Sequence, residues 1–363
     1  MKLVHLSDLH LGKRLYDYSL LEDQRHILRE ILSVLDAERP DAVLIAGDVY
    51  DRSVPSEEAV RLFDDFLVSL AERKLPAFII AGNHDSAERL SFGNRLIEQS
   101  GIVLASGYDG RAQCRTLHDE YGEVNVYLLP FLKPALVRSR FPEEEIGSYT
   151  EALAVALRGL SIDTAKRNIL VTHQFVTGAE RCDSEEVSVG GADNVDAEVF
   201  RDFDYVALGH LHGAQNITPR IRYCGTPLKY SISEAEHIKS VTVAELGEKG
   251  ELSVRTVPLR PKRELRELRG SYEELMQKSF YEGTSYPEDY VRITLTDEDE
   301  IPEALGKLRL VYHYIMEFRY DNRRTRHSAE LTAVEDVRER SPLELFMDAT
   351  LSHLWNLITK SQI

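Results

Sequence analysis

Five short apolar runs constrain this chain most: Leu3 to Leu6, Ala42 to Ala46, Ala77 to Ala81, Ile169 to Thr172 and Tyr205 to Leu208. Their length and continuous hydrophobicity predict strands rather than helices. Between the first two lies a helical pattern from about Leu20 to Ala37, with Leu21, Leu28, Ile31 and Leu35 on one face. Between the second and third, Ser56 is placed to cap another helix, with Glu57 and Glu58 at its positive end. Its stripe of Ala59, Val60, Phe63, Leu67 and Leu70 reads as core rather than as a cofactor box. Strands alternating with amphipathic helices over the first 245 or so residues predict a layered α/β domain.

The texture changes between Gly247 and Pro261, which predicts a domain boundary and a small α+β unit beyond it. Ser271 and Glu274 form a capping-box pattern. Next come a strand with Val291, Ile293 and Leu295 on one face, a helix near Pro302 to Leu310, and a strand in which Tyr312, Tyr314, Met316, Phe318 and Tyr320 alternate. Ser341-Pro342-Leu343-Glu344 opens a final helix carrying Leu345, Phe346, Ala349, Leu354, Trp355, Leu357 and Ile358. That helix either docks on its own domain or binds a partner. The expected division is 1–257, 258–330 and 331–363.

What ends each strand carries the chemistry. The first is followed by Ser7-Asp8-Leu9-His10, the second by Gly47-Asp48-Val49-Tyr50-Asp51, and the third by Gly82-Asn83-His84-Asp85. The fourth ends in His173, the fifth in Gly209-His210-Leu211-His212. Ligands of layered α/β folds gather outside the carboxyl ends of strands, so Asp, His and Asn should converge there. Singly, an Asp-x-His or a Gly-Asn-His-Asp is most often a turn; jointly, in register with five strand ends, they predict a metal site. Carboxylate, amide oxygen and imidazole without thiolate suit Mn²⁺, Fe or Zn²⁺. The donors are too many for one ion and about right for two, a clamp suited to displacement at phosphorus.

The 363 residues hold 61 acidic and 44 basic side chains, a net charge of −17 that argues against an indiscriminate nucleic-acid binder. An enzyme acting on nucleic acid through metal ions or a local basic surface remains compatible with it. No apolar run approaches the roughly 20 residues of a membrane span, and the start of the chain does not read as a signal peptide. Cys114, Cys182 and Cys224 are too few and scattered for a disulfide framework, so a reducing cytoplasm is expected.

In order, Asp-x-His, Gly-Asp-x-x-Asp, Gly-Asn-His-Asp, a lone His and Gly-His-x-His resemble the signature of calcineurin-like metallophosphoesterases. The intervening strings are similar to the SbcD family of nuclease subunits: His5 to Lys13, Ser19 to Gln24, Ala46 to Arg52, Ser188 to Gly191, Phe203 to His212, Gly225 to Ser231 and Ser341 to Phe346. The resemblance implies a layered β-sandwich flanked by helices, a small α+β capping domain that positions DNA, and a C-terminal helix. It implies that Asp8, His10, Asp48 and His212 hold one metal, with Asp48 bridging to a second held by Asn83, His173 and His210. His84 would face the scissile phosphate, and Asp51 and Asp85 would orient the ligands. The implied activity is Mn²⁺-dependent cleavage of DNA in repair, recombination and replication: a 3′→5′ exonuclease on duplex ends, an endonuclease on hairpins and single strands. An SbcC-type ATPase, contacted by the last helix, and a homodimer within a heterotetramer are the implied partners.

Two features depart from the family. Gly213-Ala214-Gln215 replaces the usual basic residue and Pro after Gly-His-x-His, and the chain ends at Ile363 where relatives commonly continue. Basic residues that could meet DNA phosphates are Lys13 and Arg14, then Arg260, Lys262, Arg263, Arg266 and Arg269, then Arg319, Arg323, Arg324 and Arg326. A phosphoesterase of small phosphodiesters or monoesters, and a non-catalytic scaffold for the ATPase, are the alternatives.

Overall fold

The structure is a computed structural model describing residues 1–185, 193–323 and 325. The Ser188–Gly191 string, Arg324, Arg326, the Ser341 capping box and the final helix lie outside the described residues. The chain forms two compact units, Met1–Arg266 and Glu267–Ile363.

In the first unit β1 (Lys2–Leu6), β2 (Ala42–Ala46), β3 (Ala77–Ile80) and β4 (Ile102–Ala105) run parallel. A second sheet begins with the antiparallel pair β5 (Gln113–Asp119) and β6 (Gly122–Leu129). It continues through β7 (Arg167–His173) and β8 (Tyr205–Gly209), both parallel to β6, and ends with β9 (Gln215–Thr218) and β10 (Ile221–Tyr223). The chain then returns to the first sheet through β11 (Ser240–Leu246) and β12 (Leu252–Pro258), both antiparallel additions. Spatial orders are β12-β11-β1-β2-β3-β4 and β9-β10-β8-β7-β6-β5.

The two sheets share one core. Leu44, Ala46, Phe78 and Ile80 from the first meet Val126, Leu128, Val171 and Ala207 from the second. Val43 and Ile45, equally buried, face the opposite side, so β2 is apolar throughout as a strand covered on both faces must be. The five expected strands are present. The remaining strands of this unit escaped the sequence reading because pairs such as β5 and β6 carry no Asp or His motif, and β5 alternates half-buried with exposed residues.

Helix α1 (Leu21–Glu38) buries Ile27, Leu28, Ile31 and Leu35. Helix α2 (Glu57–Glu72) is capped as expected, the Ser56 hydroxyl accepting from the Ala59 amide at 3.3 Å. Its buried face is Ala59, Leu62, Phe63, Phe66, Leu67 and Leu70, each large side chain contributing roughly 1.5–3 kcal/mol by leaving water. Val60, assigned to that stripe by sequence, is 44% exposed, because it lies about 100° around the helix from Ala59.

The second unit is built on the three-stranded sheet β13 (Leu265–Gly270), β14 (Tyr290–Leu295) and β15 (Tyr314–Tyr320). Val291, Ile293 and Leu295 are fully buried on one face, as the alternation predicted. Ser271 caps its helix through the Glu274 amide at 3.2 Å. The aromatic alternation of β15 is interrupted: pairing jumps from Val291–Ile315 to Arg292–Glu317, a bulge that lets both Ile315 and Met316 be buried. Among the described residues no helix is long and apolar enough to cross a membrane.

Candidate metal centre

The carboxyl ends of β1, β2 and β3 on one sheet and of β7 and β8 on the other meet at a single edge. Two glycines permit the approach. A Cβ on Gly209 would lie 1.9 Å from the Ala46 carbonyl oxygen, and one on Gly82 would lie 2.1 Å from Asp48 Oδ1. The loops after β1 and β2 are zipped together by amides of Asp8, His10 and Leu11 donating to carbonyls of Gly47, Asp48 and Val49, each at 2.9 Å. Four residues at these ends hold left-handed backbone: Asp8 (φ 53°), His10 (φ 44°), Asp48 (φ 49°) and His210 (φ 104°). Such conformations cost roughly 1–3 kcal/mol each and persist where the surroundings enforce them, commonly at functional sites.

The structure brings Asp8, His10, Asp48, Asn83, His173, His210 and His212 together. Asp48 is central: its Oδ2 lies 3.3 Å from His173 Nε2, 3.7 Å from His10 Nε2 and 3.9 Å from His84 Nε2. Its Oδ1 accepts the His84 backbone amide at 2.9 Å. On one side His10 Nε2 and His212 Nε2 are 3.2 Å apart, and ligand atoms of both cluster with the Asp8 carboxylate. On the other, Asn83 Oδ1 lies 2.9 Å from His173 Nε2 and 3.0 Å from His210 Nδ1.

This donor set fits divalent cations. Ligands about 2.1 Å from a shared ion end roughly 3 Å apart, the separation found within both groups. Burial pushes the imidazole of His10 well below its usual range and that of His210 down to about 3, so both offer neutral lone pairs. Burial lifts Asp8 to about 6, with Asp48 adding to the push. At His173 burial opposes the cation, but Asp48 outweighs it and holds the imidazole up at about 9. Asp48 is correspondingly held far below the carboxylate range despite its burial, by His173, His10 and His84. His173 Nδ1 donates to the Ala46 carbonyl at 2.8 Å, so Nε2 faces the site and offers a lone pair there once a cation displaces its proton. Phe131 stacks near His210 and meets His173 edge-on, walling that side.

His84 stands at the rim with its side chain 22% exposed. Its Nδ1 donates to the Asp51 carbonyl at 3.0 Å, which aims Nε2 into the site. The Asp85 carboxylate accepts the amides of Val49 (3.1 Å), Tyr50 (2.9 Å) and Gly82 (2.9 Å), tying the β2 loop to the β3 loop. Asp51 accepts from Lys13 Nζ at 2.8 Å and faces His10 Nδ1 at 3.7 Å.

The expected basic contacts divide. Lys13 is engaged by Asp51 and lies over the Tyr230 ring. Lys262 pairs with Glu22, and Arg263 pairs with Asp23 at 2.9 Å and Glu22 at 3.0 Å. Arg14 donates to the Asp17 carbonyl and Arg260 is exposed. In the second unit Arg269, Arg319 and Arg323 pair with Asp321, Glu317 and Glu298.

Several residues of the centre were given no role from the sequence. Gln24 of α1 accepts the Gly12 amide at 2.9 Å and donates to the His10 carbonyl at 2.7 Å, holding the first loop. Ser184, Glu185, Glu234 and Lys239 surround His212. Gln24 falls within a string that carried the resemblance; the others follow no motif or strand end.

Known proteins resemble this chain in sequence. The family model for calcineurin-like phosphoesterases matches residues 1–214, and that described as the Type 5 capsule protein repressor C-terminal domain matches residues 261–351. The chain is 36% identical over 323 residues to the Staphylococcus epidermidis protein named as the D component of the SbcCD nuclease, covering 87% of this chain and 84% of that protein. It is 33% identical over 317 residues to the protein of the same name from Staphylococcus saprophyticus, covering 86% and 82%. Among solved structures, a dimetal phosphatase from Danio rerio aligns with a TM-score of 0.43 and 14% identity, covering 72% of this chain and 98% of that one.

Proposed function

The chain belongs to the calcineurin-like phosphoesterases and, within them, to the SbcD family of nuclease subunits, and from that premise we propose that it cleaves DNA phosphodiester linkages with two divalent cations, Mn²⁺ by preference. The observation that carries this reading is Asp48 Oδ2, which faces donors of two separate groups at once. Asp8, His10 and His212 would hold one cation, Asn83, His173 and His210 the other, and Asp48 both. Two such ions, when bound, supply Lewis acidity toward a phosphoryl oxygen and a readily ionised water.

The protein's own groups do the rest. His84, with Nδ1 fixed on the Asp51 carbonyl, can carry a proton on Nε2 and deliver it to the leaving oxygen. Asp85 and Asp51 hold the loops that place Asp48, Asn83, His84 and His10. A cavity of about 810 Å³ opens beside Asn83 and Phe131, and Lys133, Arg140 and Arg111 line it. None of the three forms an ion pair among the described residues, so they are free to meet the phosphates of a strand longer than a small diester needs.

We assign it 3′→5′ exonuclease action on duplex ends and endonuclease action on hairpins and single strands, in the cytoplasm, alongside an SbcC-type ATPase. Residues 258–330 are assigned the role of a capping domain. Self-association as a homodimer would use Phe92 and Leu96, which are 87% and 75% exposed.

The test is metal-stripped protein and its Asp48→Asn variant, each supplied with Mn²⁺, on an end-labelled duplex closed by a hairpin and on a chromogenic phosphodiester. The wild type should shorten or open the DNA and the variant should not. Cleavage of the diester alone would refute the DNA assignment, and equal activity of the two proteins would refute the role of Asp48.

A further inference from the structure

The histidines of the centre are anchored in different ways. His173 and His84 donate Nδ1–H to backbone carbonyls, of Ala46 and Asp51 respectively. His212 instead faces a side chain: its Nδ1 lies 2.6 Å from Ser184 Oγ. Ser184 Oγ in turn donates to Glu234 Oε1 at 2.7 Å. A carboxylate only accepts, so the hydroxyl proton points to Glu234 and the hydroxyl lone pair points to His212. Nδ1 must therefore carry the imidazole proton, and Nε2 is left as a lone pair aimed toward His10 Nε2, 3.2 Å away.

The relay is itself held rigidly. Glu234 is fully buried and its Oε2 pairs with Lys239 Nζ at 2.5 Å. Lys239 places its other protons on Thr226 Oγ1 at 2.7 Å and on the His212 carbonyl at 2.9 Å. Glu185, next to Ser184, accepts the His212 backbone amide at 2.6 Å. Every polar group of His212 except Nε2 is thus fixed by residues that the family motifs do not include.

Resting on the two-cation reading above, we infer that Ser184, backed by the Glu234–Lys239 pair, is a positioning residue that fixes the tautomer and aim of His212 and so sets the affinity of the Asp8–His10–His212 cation site. Ser184 touches neither cation nor substrate. Its loss should therefore act on metal affinity and not on the reaction once metal saturates. Partners of this kind are worth roughly 10–100-fold in metal affinity.

The experiment uses the full-length, metal-stripped chain with three variants, Ser184→Ala, Ser184→Thr and Ser184→Cys. Calorimetric titration with Mn²⁺ alone should show two sites in the wild type. Ser184→Ala should weaken one of them by roughly 10–100-fold and leave the other unchanged. Ser184→Thr, which keeps the hydroxyl, should restore affinity. Ser184→Cys, close in volume but a poor hydrogen-bonding partner, should follow Ala and decides the matter if Ala does not fold. Long-range ¹H–¹⁵N correlation spectra of the metal-free protein should find His212 as the Nδ1–H tautomer, and as a mixture in Ser184→Ala. Metal affinity unchanged within twofold, or an unaltered tautomer in a folded Ala or Cys variant, overturns the inference. If the wild type binds no Mn²⁺, the two-cation reading falls, while the tautomer spectra still decide the relay.

Discussion

Gly209 offers the sharpest test of how the two sheets create the site. An added Cβ would stand 1.9 Å from the Ala46 carbonyl oxygen, 3.0 Å from its carbon and 2.7 Å from His173 Nδ1. Backbone lies on both sides of the clash, so no flexible side chain can yield. Ordinary contact requires the ends of β2 and β8 to part by more than 1 Å, roughly the gap between the built distance and normal packing. Overpacking of this kind typically costs about 1–3 kcal/mol. Moving the Ala46 carbonyl also breaks its 2.8 Å bond from His173 Nδ1, for about another 1–1.5 kcal/mol. Gly209→Ala should therefore lose about 2–4.5 kcal/mol and, for a unit of this size, about 4–18 °C in Tm at 2–4 °C per kcal/mol. Calorimetric melts of metal-free protein read the loss, and Mn²⁺ titration should show the site containing His173 weakened. Gly107→Ala, where an added Cβ meets nothing within 4 Å, is the control and should melt near the wild type. A Gly209→Ala protein that melts within 2 °C of wild type, roughly 1 kcal/mol, with unaltered Mn²⁺ binding, refutes the reasoning.

Replacing His84 by Gln should slow single-turnover DNA cleavage by roughly 10²–10⁴-fold while leaving Mn²⁺ stoichiometry intact; a matching loss of metal would make His84 a ligand instead. The pair Lys133→Glu and Arg140→Glu should cut DNA cleavage at least tenfold, on the order of 1.4 kcal/mol, and spare the chromogenic diester, whereas parallel losses would count against the groove. Asp119 pairs with Arg167, whose guanidinium together with the amino group of Met1 holds the carboxyl well below its ordinary range. A depressed carboxyl stabilises the folded state above its unfolded pKa of about 3.9 and loses that contribution as pH falls toward the folded value. Thermal melts from pH 5 down to 2 should accordingly be flatter for Asp119→Asn than for wild type, and identical slopes would remove Asp119 from the acid response.

Much of this site was legible because its candidate ligands are local in sequence: each sits directly after an apolar run that reads as a buried strand. Asp8, Asp48, Asn83, His173 and His210 needed only the rule that strand ends collect function. The second sheet's outer strands were harder, since β5 is an edge strand with half-buried alternation and no motif. The roles of long-range supporting residues were not legible. Gln24 reaches the first loop from a helix, and Glu234 reaches His212 across 22 residues through Ser184, by contacts that only the fold creates. Charge pairing was hidden in the same way. Lys262 and Arg263 form a basic pair in sequence, and Glu22 and Asp23, some 240 residues earlier, pair with them.

The central claim is that one carboxylate, Asp48, joins two cations. Electron paramagnetic resonance of the metal-stripped chain reloaded with two equivalents of Mn²⁺ tests it most directly. Two ions sharing Asp48, about 3.5–4 Å apart, should give an exchange-coupled spectrum that collapses to isolated Mn²⁺ in Asp48→Asn. Isolated-ion signals in the wild type at full loading, or coupling that survives in Asp48→Asn, would contradict the account.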